Sequence, residues 1–547
     1  MEEELKRVSQ QKNVEEGPAP PTTIVPSSST SSSPSRASES VHKVMWEYLP
    51  HTYRSPQSED WSGNQSQTLG QFSSPGMQIC PRIGVLSRRV FKGLPPRPAA
   101  QALIKQYMIS FHSAYPLFDH STSLRLMEYN SEDFHDPAWW GCINAVLAIA
   151  HRFRAMTKQN NSVEDCQAWG YLQNALATVT ELTIMQPTLT TVQALLGMAL
   201  LVQGTSNSRP FSTLLSSAIR GAQDIGLHRH NIDPKISVEE VEQRKRVFWV
   251  AYCLDKDLSL QLGRPPFQDD DEMDVGFPCG MRGEHSSVNN VDFLQLRVGL
   301  AVIQGQVYKR LLSVRASKQS VVERFAAVSD LEDILYAWQD STPIRFEEKY
   351  VTPANVRFSP PLIHEMIVRL TYFKTLDVIF NHSILGMAEE AAKSMARAAE
   401  AEEGYILPAS PLCKVQARKA LQLIHVTPMG DYAYIWVVLH IFVSATKTLL
   451  SNICSEPSQT LAKSDVELIQ PLLNLLGTLM SGGQRDEVVK MYDTCQEMYE
   501  EAVQRLRTTN SQYMQIDMGS VGKSGSQREK KESVEDFIRR IESYTAG

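Results

Sequence analysis

The stretch SVEEVEQRKRVFWVAYCLDKDLSLQLGRPP, residues 237–266, predicts one long helix with a clear start and a clear end. Ser237 and Glu240 stand at the spacing of a capping box, in which each side chain accepts a backbone N–H at the start of the helix. Gly263 suits the left-handed position that commonly follows a helix, and Pro265 cannot continue one. The predicted helix therefore has about seven turns.

Apolar residues recur along this helix at spacings of three and four, which predicts an amphipathic helix with one buried face. That face holds Val247, Ala251, Leu254, Leu258 and Leu262.

The polar residues of the same region predict a clasp. A basic cluster, residues 244–246, occupies the early part of the helix, where the helix dipole disfavours cations. Asp255 lies among apolar neighbours, Arg264 follows the helix, and residues 269–274 form an acidic loop. Opposite charges can satisfy one another if the chain folds back onto the helix. We therefore predict that Asp255, Arg264 and the acidic loop hold one another, with the basic cluster contributing.

Helical periodicity continues on both sides of this region, and no run of residues alternates as a strand would. Pro187 separates two of the predicted helices, and Gly226 stands where the end of a helix favours a left-handed residue. We therefore predict an all-α fold with a large multi-helix domain. The predicted helices are residues 100–112, 139–156, 165–185, 190–203, 211–227, 293–314, 321–339, 361–382, 413–426, 432–453, 465–480 and 486–507.

Composition divides the chain into three parts. Residues 1–98 are rich in Ser, Pro and Thr and predict a mostly disordered N-terminal linker, with room for one short docking segment. Residues 99–507 carry the dense apolar periodicity of the helical domain. Residues 508–547 predict a polar, disordered tail with a terminal helix at 533–544, because Ser533 and Asp536 have a spacing similar to a capping box.

The charge balance argues against a protein that grips nucleic acid over its whole surface. The chain has 54 Lys and Arg against 61 Asp and Glu, a formal net charge of −7, whereas phosphate contacts need basic surface. Its eight cysteines show no Cys-x-x-Cys spacing, so we expect free thiols in a reducing compartment. The most apolar run, residues 432–443, is too short to span a membrane and predicts a buried helix.

An ordered series of short motifs in residues 211–278 resembles the middle homology region of fungal zinc-cluster transcription factors, also described as the xylanolytic-activator-type regulatory domain. The resemblance extends in order over about residues 99–507, and it is sharp only within 211–278. The residues to which this resemblance gives a regulatory role are Gly226, Leu227, His228, Arg244, Arg246, Trp249, Asp255, Gly263, Arg264, Pro265, Asp269, Asp270, Asp274 and Pro278.

This resemblance implies a helical, nuclear protein that regulates RNA polymerase II transcription, for example of a metabolic or secondary-metabolite gene cluster. It implies coregulators or a related regulator as partners, and it allows a homodimer and a small-molecule effector. Members of the family normally begin with a six-cysteine zinc cluster that enters the DNA major groove. No cysteine precedes Cys80 in this sequence. Zinc and DNA are therefore expected only through a missing upstream module or, for DNA, through a partner.

Two other functions stay open at this point. The chain can be a headless interaction module that modulates a full-length regulator without binding DNA, or a helical protein that binds a small molecule. No catalytic motif is present: there is no Gly-x-Ser-x-Gly elbow, phosphate loop or His-Glu-x-x-His sequence. We interpret His228 and His230 as cations at a helix end and not as metal ligands. The acidic loop lacks the spacing of an EF-hand.

Overall fold

The computed structural model describes residues 89–112, 114–128, 135–157, 162–203, 208–230, 235–279, 292–344, 360–396, 411–427, 432–481 and 486–520. Three predictions lie outside the described residues: the disorder of residues 1–88, the disorder of the tail beyond residue 520 and the helix at 533–544.

Every regular element in the described part of the chain is helical, which confirms the predicted all-α fold. The α-helices are α1 Arg97–Ser110, α2 His120–Glu128, α3 Pro137–Thr157, α4 Ser162–Leu176, α5 Val179–Ile184, α6 Leu189–Val202, α7 Ser208–Asp224, α8 Val238–Leu262, α9 Phe293–Val307, α10 Val321–Ser341, α11 Pro360–Ala396, α12 Pro411–Gln422, α13 Tyr432–Ser455, α14 Ala462–Ser481 and α15 Asp486–Ser520. Shorter helical turns are the 3-10 helices Asp270–Glu272, Ala316–Lys318 and Leu423–Val426, and the π-helix Tyr308–Leu312 that continues α9.

The helices pack in three successive groups around one continuous apolar core. In the first group, α3 packs on α1, α4 and α6, and α7 packs on α6. In the second, α9 packs on α8, α10 and α11. In the third, α13 packs on α12 and α15, and α14 packs on α15. Helix α8 joins the first two groups, since it contacts α6 and α7 on one side and α9 and α11 on the other.

The position of α8 between two groups corrects the prediction of one buried face. All ten side chains from Val247 to Lys256 are buried, including two charged ones. A helix covered on several sides buries successive residues and not one stripe. The apolar spacing in the sequence identified the helix, but it did not show that neighbouring helices cover the other faces.

Two differences from the predicted helices have local causes. The helix predicted at 165–185 is divided into α4 and α5, because the chain tightens at Thr178, whose buried hydroxyl donates to Ala175 O at 2.7 Å. Helix α2 was not predicted. Its sequence is polar, and only Ser123 and Leu126 are buried in it, so it carries almost no apolar periodicity.

Both ends of the helical domain extend beyond the predicted limits. Helix α15 continues to Ser520, past the predicted end at Arg507. At the other end, the chain before α1 is docked on α4 by Asn174. The side-chain oxygen of Asn174 accepts the N–H groups of Phe91 and Lys92 at 2.7 and 3.1 Å, and its amide donates to Lys92 O at 2.6 Å. A short docking segment was predicted within residues 41–98, and residues 91–92 form one.

No described helix combines the length and the apolarity needed to cross a membrane. Helix α13 contains the most apolar run of the sequence. Leu439, Phe442 and Leu449 of this helix are buried in the core, which confirms the prediction of a buried helix.

Candidate regulatory site

The end of α7 and both ends of α8 have the local geometry that the sequence predicts. Gly226 has φ +73° and Gly263 has φ +61°, both in the left-handed region that favours glycine. The Ser237 hydroxyl accepts the Glu240 N–H at 3.2 Å. The second half of the predicted capping box is wrong, because the Glu240 carboxylate binds Arg244 at 2.9 Å. These features fix where α8 begins and where the chain leaves it.

After α8 the chain folds back along the helix as a segment that we name the strap, residues 264–279. Asp255 of α8 holds its first part. The two carboxylate oxygens of Asp255 accept the backbone N–H groups of Phe267 and Gln268 at 2.9 and 3.0 Å. Asp255 and Gln268 are both 1% exposed, so the bond from Gln268 satisfies a donor that water cannot reach.

Lys256 holds the next part of the strap. Its buried ammonium donates to Gln268 O at 2.6 Å and lies 2.9 Å from Asp270 Oδ1. It also lies 4.7 Å from the ring centre of Tyr252, and the Tyr252 hydroxyl donates to Asp270 Oδ1 at 2.9 Å. A buried ion pair is tolerated when further hydrogen bonds complete its geometry. The predicted clasp therefore exists between α8 and the acidic loop, and its cation is Lys256.

The predicted role of Arg264 is wrong. Arg264 is exposed, and within the described residues its guanidinium has neither an ion pair nor a hydrogen bond. Its backbone carbonyl accepts the Ser259 hydroxyl at 2.6 Å, which helps to close the end of α8. Pro265, the next residue, is also exposed. Arg264 follows the last turn of α8, two turns beyond Asp255, whereas Lys256 is adjacent to Asp255 and faces the strap.

The basic cluster does not bind the acidic loop either, which corrects the second part of the clasp prediction. Arg244 pairs with Glu240, and Arg246 Nε lies 3.6 Å from Glu242 Oε1. Both carboxylates belong to the first turns of the same helix, where they also complement the helix dipole. The cations at residues 244–246 are thus compensated locally.

The acidic loop binds cations from three elements. Asp270 binds Lys256. Oδ2 of the exposed Asp271 lies 2.5 Å from Nζ of Lys309 in the π-helix. Glu272 lies 3.5 Å from Arg229, the residue after His228. Asp269 caps the 3-10 helix by accepting the N–H of Asp271 at 3.1 Å, and Asp274 accepts the N–H of His230 at 2.7 Å.

The second half of the strap is bonded to the turn after α7 and to the middle of α8. The His228 carbonyl accepts the N–H groups of Asp274 and Val275 at 3.1 and 3.2 Å. The buried Trp249 donates from Nε1 to Gly276 O at 3.0 Å, and its ring stacks on Phe277 with centroids 4.9 Å apart. The predicted motif residue Pro278 is buried, and its carbonyl accepts Gln295 Nε2 at 3.4 Å.

Helix α9 approaches the buried end of the strap at a glycine. A β-carbon placed on Gly305 would lie 2.7 Å from Asp270 Oδ2 and 3.4 Å from the Tyr252 hydroxyl. Because Asp270 is already held by Lys256 and Tyr252, it has little freedom to move aside. Glycine at position 305 therefore allows α9 to pack against the buried carboxylate.

Burial dominates the electrostatics of the two ionisable motif residues that show a shift. Burial raises the pKa of Asp255 above its ordinary value, although Lys256 and the bonds from Gln268 and Phe267 act in the opposite direction. Burial and the charge of Arg229 lower the pKa of His228. The neutral form of His228 is thus favoured, which corrects its interpretation as a cation at a helix end.

The turn after α7, the start of α8 and the strap line a half-open cavity of about 260 Å³. Leu227 and Val275 are buried residues of its wall, and Gly226 and Gly276 bring the backbone to its edge. The cavity is therefore assembled from the segments that contain most of the predicted motif residues. No group of His, Cys, Asp or Glu within the described part of the chain has the arrangement of a metal site.

The structure gives roles to residues that the sequence analysis named without a function or did not name. No role was predicted for Lys256, although a lysine between buried apolar residues signals that it must have a partner. Tyr252 and Gln268 complete its surroundings. Gly305 carries no local signal, because it lies in an ordinary helical pattern far along the chain.

Comparison with known proteins agrees with this picture. Residues 104–340 match the fungal specific transcription factor domain, a range that includes α7, α8, the strap and Gly305. The chain is 37% identical over 430 residues to an ABC-transporter-regulating transcription factor of Aspergillus fumigatus, covering 76% of this chain and 47% of that protein. A protein of the same name from Aspergillus oryzae gives the same values.

A third relative is covered over most of its length. The chain is 29% identical over 442 residues to the fusaridione A cluster transcription factor of Fusarium heterosporum, covering 78% of this chain and 81% of that protein. The chain spans about half the length of the two Aspergillus relatives. The domain match and the relatives confirm the resemblance that the motifs of residues 211–278 predicted: residues 104–340 match the fungal specific transcription factor domain, and the chain is similar to proteins named as fungal transcription factors.

Proposed function

We propose that this chain regulates RNA polymerase II transcription in the nucleus of a fungus. The observation that carries the proposal is the match of residues 104–340 to the fungal specific transcription factor domain, together with relatives named as transcription factors. The names of the relatives favour genes of transport or secondary metabolism as targets. The motif side chains of Trp249, Asp255 and Asp270 hold the strap on α8, an arrangement that supports a role as a regulatory scaffold.

Deletion of the gene followed by re-expression tests this function. We expect a defined set of transcripts to change on deletion and to return when the full chain is restored. A fluorescent fusion of the chain should accumulate in the nucleus. A transcript profile that is unchanged by deletion under several growth and drug-stress conditions would contradict the proposal, as would transcript changes that re-expression does not reverse.

A second candidate is an interaction module that acts on another regulator without touching DNA. The net charge of −7 favours it, because contacts to phosphates need basic surface. The purified chain would then fail to shift promoter DNA of its target genes, yet it would co-purify with a zinc-cluster regulator, a related chain or another coregulator. Direct, salt-dependent binding to those promoters would exclude this candidate and support direct regulation.

A further inference from the structure

The cavity beside the strap has cations on its rim and no carboxylate in its lining. Arg229, Arg244 and Lys245 contribute the permanent positive charges. The acidic partners of these residues stand outside the lining. Glu272 lies 3.5 Å from Arg229, and because 72% of the Glu272 side chain is exposed, water and salt screen this pair. Glu240 lies 2.9 Å from Arg244, and Glu242 lies 3.8 Å from Lys245, both just outside the lining. The lining itself therefore contributes cations and no carboxylate.

Lys245 is the cation on the rim whose head group makes no hydrogen bond to a described residue. Its ammonium lies 3.8 Å from Glu242 Oε2, too far for a hydrogen bond, and donates to no residue that the structure describes. The other oxygen of Glu242 is held by the N–H of Cys279 at 2.6 Å. Lys245 is 23% exposed, and its Nζ would lie 3.9 Å from a β-carbon placed on Gly276. A lysine ammonium has three donors, and here they point to a half-buried space beside the strap.

Apart from His230 and the backbone at Gly226 and Gly276, the remaining wall of the cavity is apolar. Ile225, Leu227, Val241 and Val275 line it, and none of these side chains can bind an ion. At about 260 Å³ the cavity is slightly below the roughly 300–1,000 Å³ that is common for drug-sized ligands. It suits a compact molecule that has an apolar body for this wall and one anionic group for the rim.

We propose that this cavity binds a small carboxylate with an apolar body, whose carboxylate accepts hydrogen bonds from Lys245. Arg244 and Arg229 add long-range attraction, while the apolar wall takes the body of the ligand. Because Val275 and Gly276 belong to the strap, the ligand contacts the same segment that Lys256 and Trp249 hold on α8. Ligand binding thus adds a contact between the turn after α7 and the strap. Ligand binding itself does not depend on the proposed function; only an effect of the ligand on transcription rests on it.

Titration of the purified full chain with hexanoate tests the site, with hexanamide and inorganic phosphate as comparison ligands. Methyl NMR of Ile225, Val241 and Val275 reports binding at the cavity itself. We expect saturable shifts with hexanoate and a Kd at least about tenfold weaker for hexanamide, because a hydrogen bond to a charged group contributes more than a neutral one. Phosphate should bind more weakly than hexanoate, since it has no apolar body.

Two variants distinguish direct binding by Lys245 from the general effect of removing one positive charge. Lys245→Met keeps the aliphatic part of the side chain and should weaken hexanoate binding by about tenfold or more. Lys318→Met, at an exposed lysine of the 3-10 helix Ala316–Lys318, is the matched control and should leave the Kd unchanged. Equal affinity for hexanoate and hexanamide would overturn the proposal, as would an unchanged Kd in Lys245→Met or the absence of saturable shifts.

The comparison of ligands needs no variant, so a Lys245→Met chain that failed to fold would still leave the proposal testable. The assay measures binding by the purified chain and not transcription. A failure to bind hexanoate would therefore not affect the result of the deletion experiment. A deletion without effect on transcripts would not change the measured Kd. A phosphate affinity equal to that of hexanoate would show an anion site without preference for an apolar body and would overturn the ligand class proposed.

Discussion

The ammonium of Lys256 lies 2.9 Å from Asp270 Oδ1, and this buried ion pair joins the middle of α8 to the strap. The side chains are only 1% and 10% exposed. Removing one member of such a pair leaves the other as an uncompensated buried charge. The clasp therefore depends on both members being present.

Lys256→Met should lower the free energy of unfolding by about 3–5 kcal/mol. Lys309→Met is its matched control, because Lys309 pairs with Asp271 of the same loop while both side chains are about half exposed, and it should cost less than about 1 kcal/mol. Urea denaturation measures both values. The double variant Lys256→Met with Asp270→Asn should lose less free energy of unfolding than the sum of the losses in the two single variants. Equal costs for the two lysine variants would contradict the assignment of Lys256 as the clasp cation.

Gly305→Ala should lower the free energy of unfolding by about 1–3 kcal/mol, because the new methyl group would overlap Asp270 Oδ2. Gly477→Ala on α14 is the control, since a β-carbon there would meet nothing within 4 Å. Alanine has the better helix propensity, so this control should gain up to about 1 kcal/mol. Thermal and urea denaturation compare the two variants. A Gly305→Ala chain as stable as the Gly477→Ala chain would show that Asp270 can move aside.

Arg264→Ala should change the free energy of unfolding by no more than about 0.5 kcal/mol, because its side chain is exposed and binds no described residue. Asp255→Ala should cost much more. It removes the acceptor of the Phe267 and Gln268 N–H groups, and the buried Gln268 N–H alone costs about 1–3 kcal/mol when it is left unsatisfied. Denaturation curves of the two variants provide the comparison. A large loss in Arg264→Ala would restore the role that the sequence predicted for this arginine.

His364 should make stability depend on pH. Burial lowers its pKa to about 4, and its Nε2–H donates to Ser110 O at 2.8 Å. The unfolded chain takes up a proton near pH 6.5 and the folded chain only near pH 4. The contribution of His364 to the free energy of unfolding is therefore complete above pH 6.5 and decreases as the pH falls towards 4. At pH 4 and below, roughly 3 kcal/mol of the free energy of unfolding has been lost.

His364→Gln removes the titrating ring and should flatten the stability curve between pH 6.5 and 4 relative to the wild-type chain. The measurement is the free energy of unfolding at several pH values in this window, taken for both chains. Parallel curves would mean that the imidazole of His364 is not the group responsible.

Asn174→Ala should release the segment before α1. The amide side chain makes three bonds to Phe91 and Lys92 and a fourth to Asn144 Oδ1 at 2.9 Å. Hydrogen exchange at the Phe91 and Lys92 amides should accelerate by about tenfold or more once their acceptor is gone. Asn474→Ala, at an exposed position of α14, should leave these two amides unchanged. Unaltered protection in Asn174→Ala would show that other contacts dock the segment.

The sequence by itself determined most of the helices and, at α7 and α8, the residues that begin and end them. Helices and their ends depend on interactions between residues that are close in sequence. The apolar spacing and the capping positions Gly226, Ser237 and Gly263 can therefore be interpreted without knowledge of the rest of the chain. The ordered motifs of residues 211–278 likewise predicted the resemblance to fungal transcription factors, which the domain match and the relatives confirm.

Only the tertiary structure decided which polar groups meet. The sequence predicted a clasp between Asp255 and the acidic loop, but it assigned the cation to Arg264 because that residue is near the loop along the chain. In the fold, Lys256 is the side chain that faces the strap inside the core, and α9 reaches Asp270 at Gly305. Packing of distant helices sets these directions, and a buried charge takes the partner that shares its low-dielectric surroundings, whatever the separation in sequence.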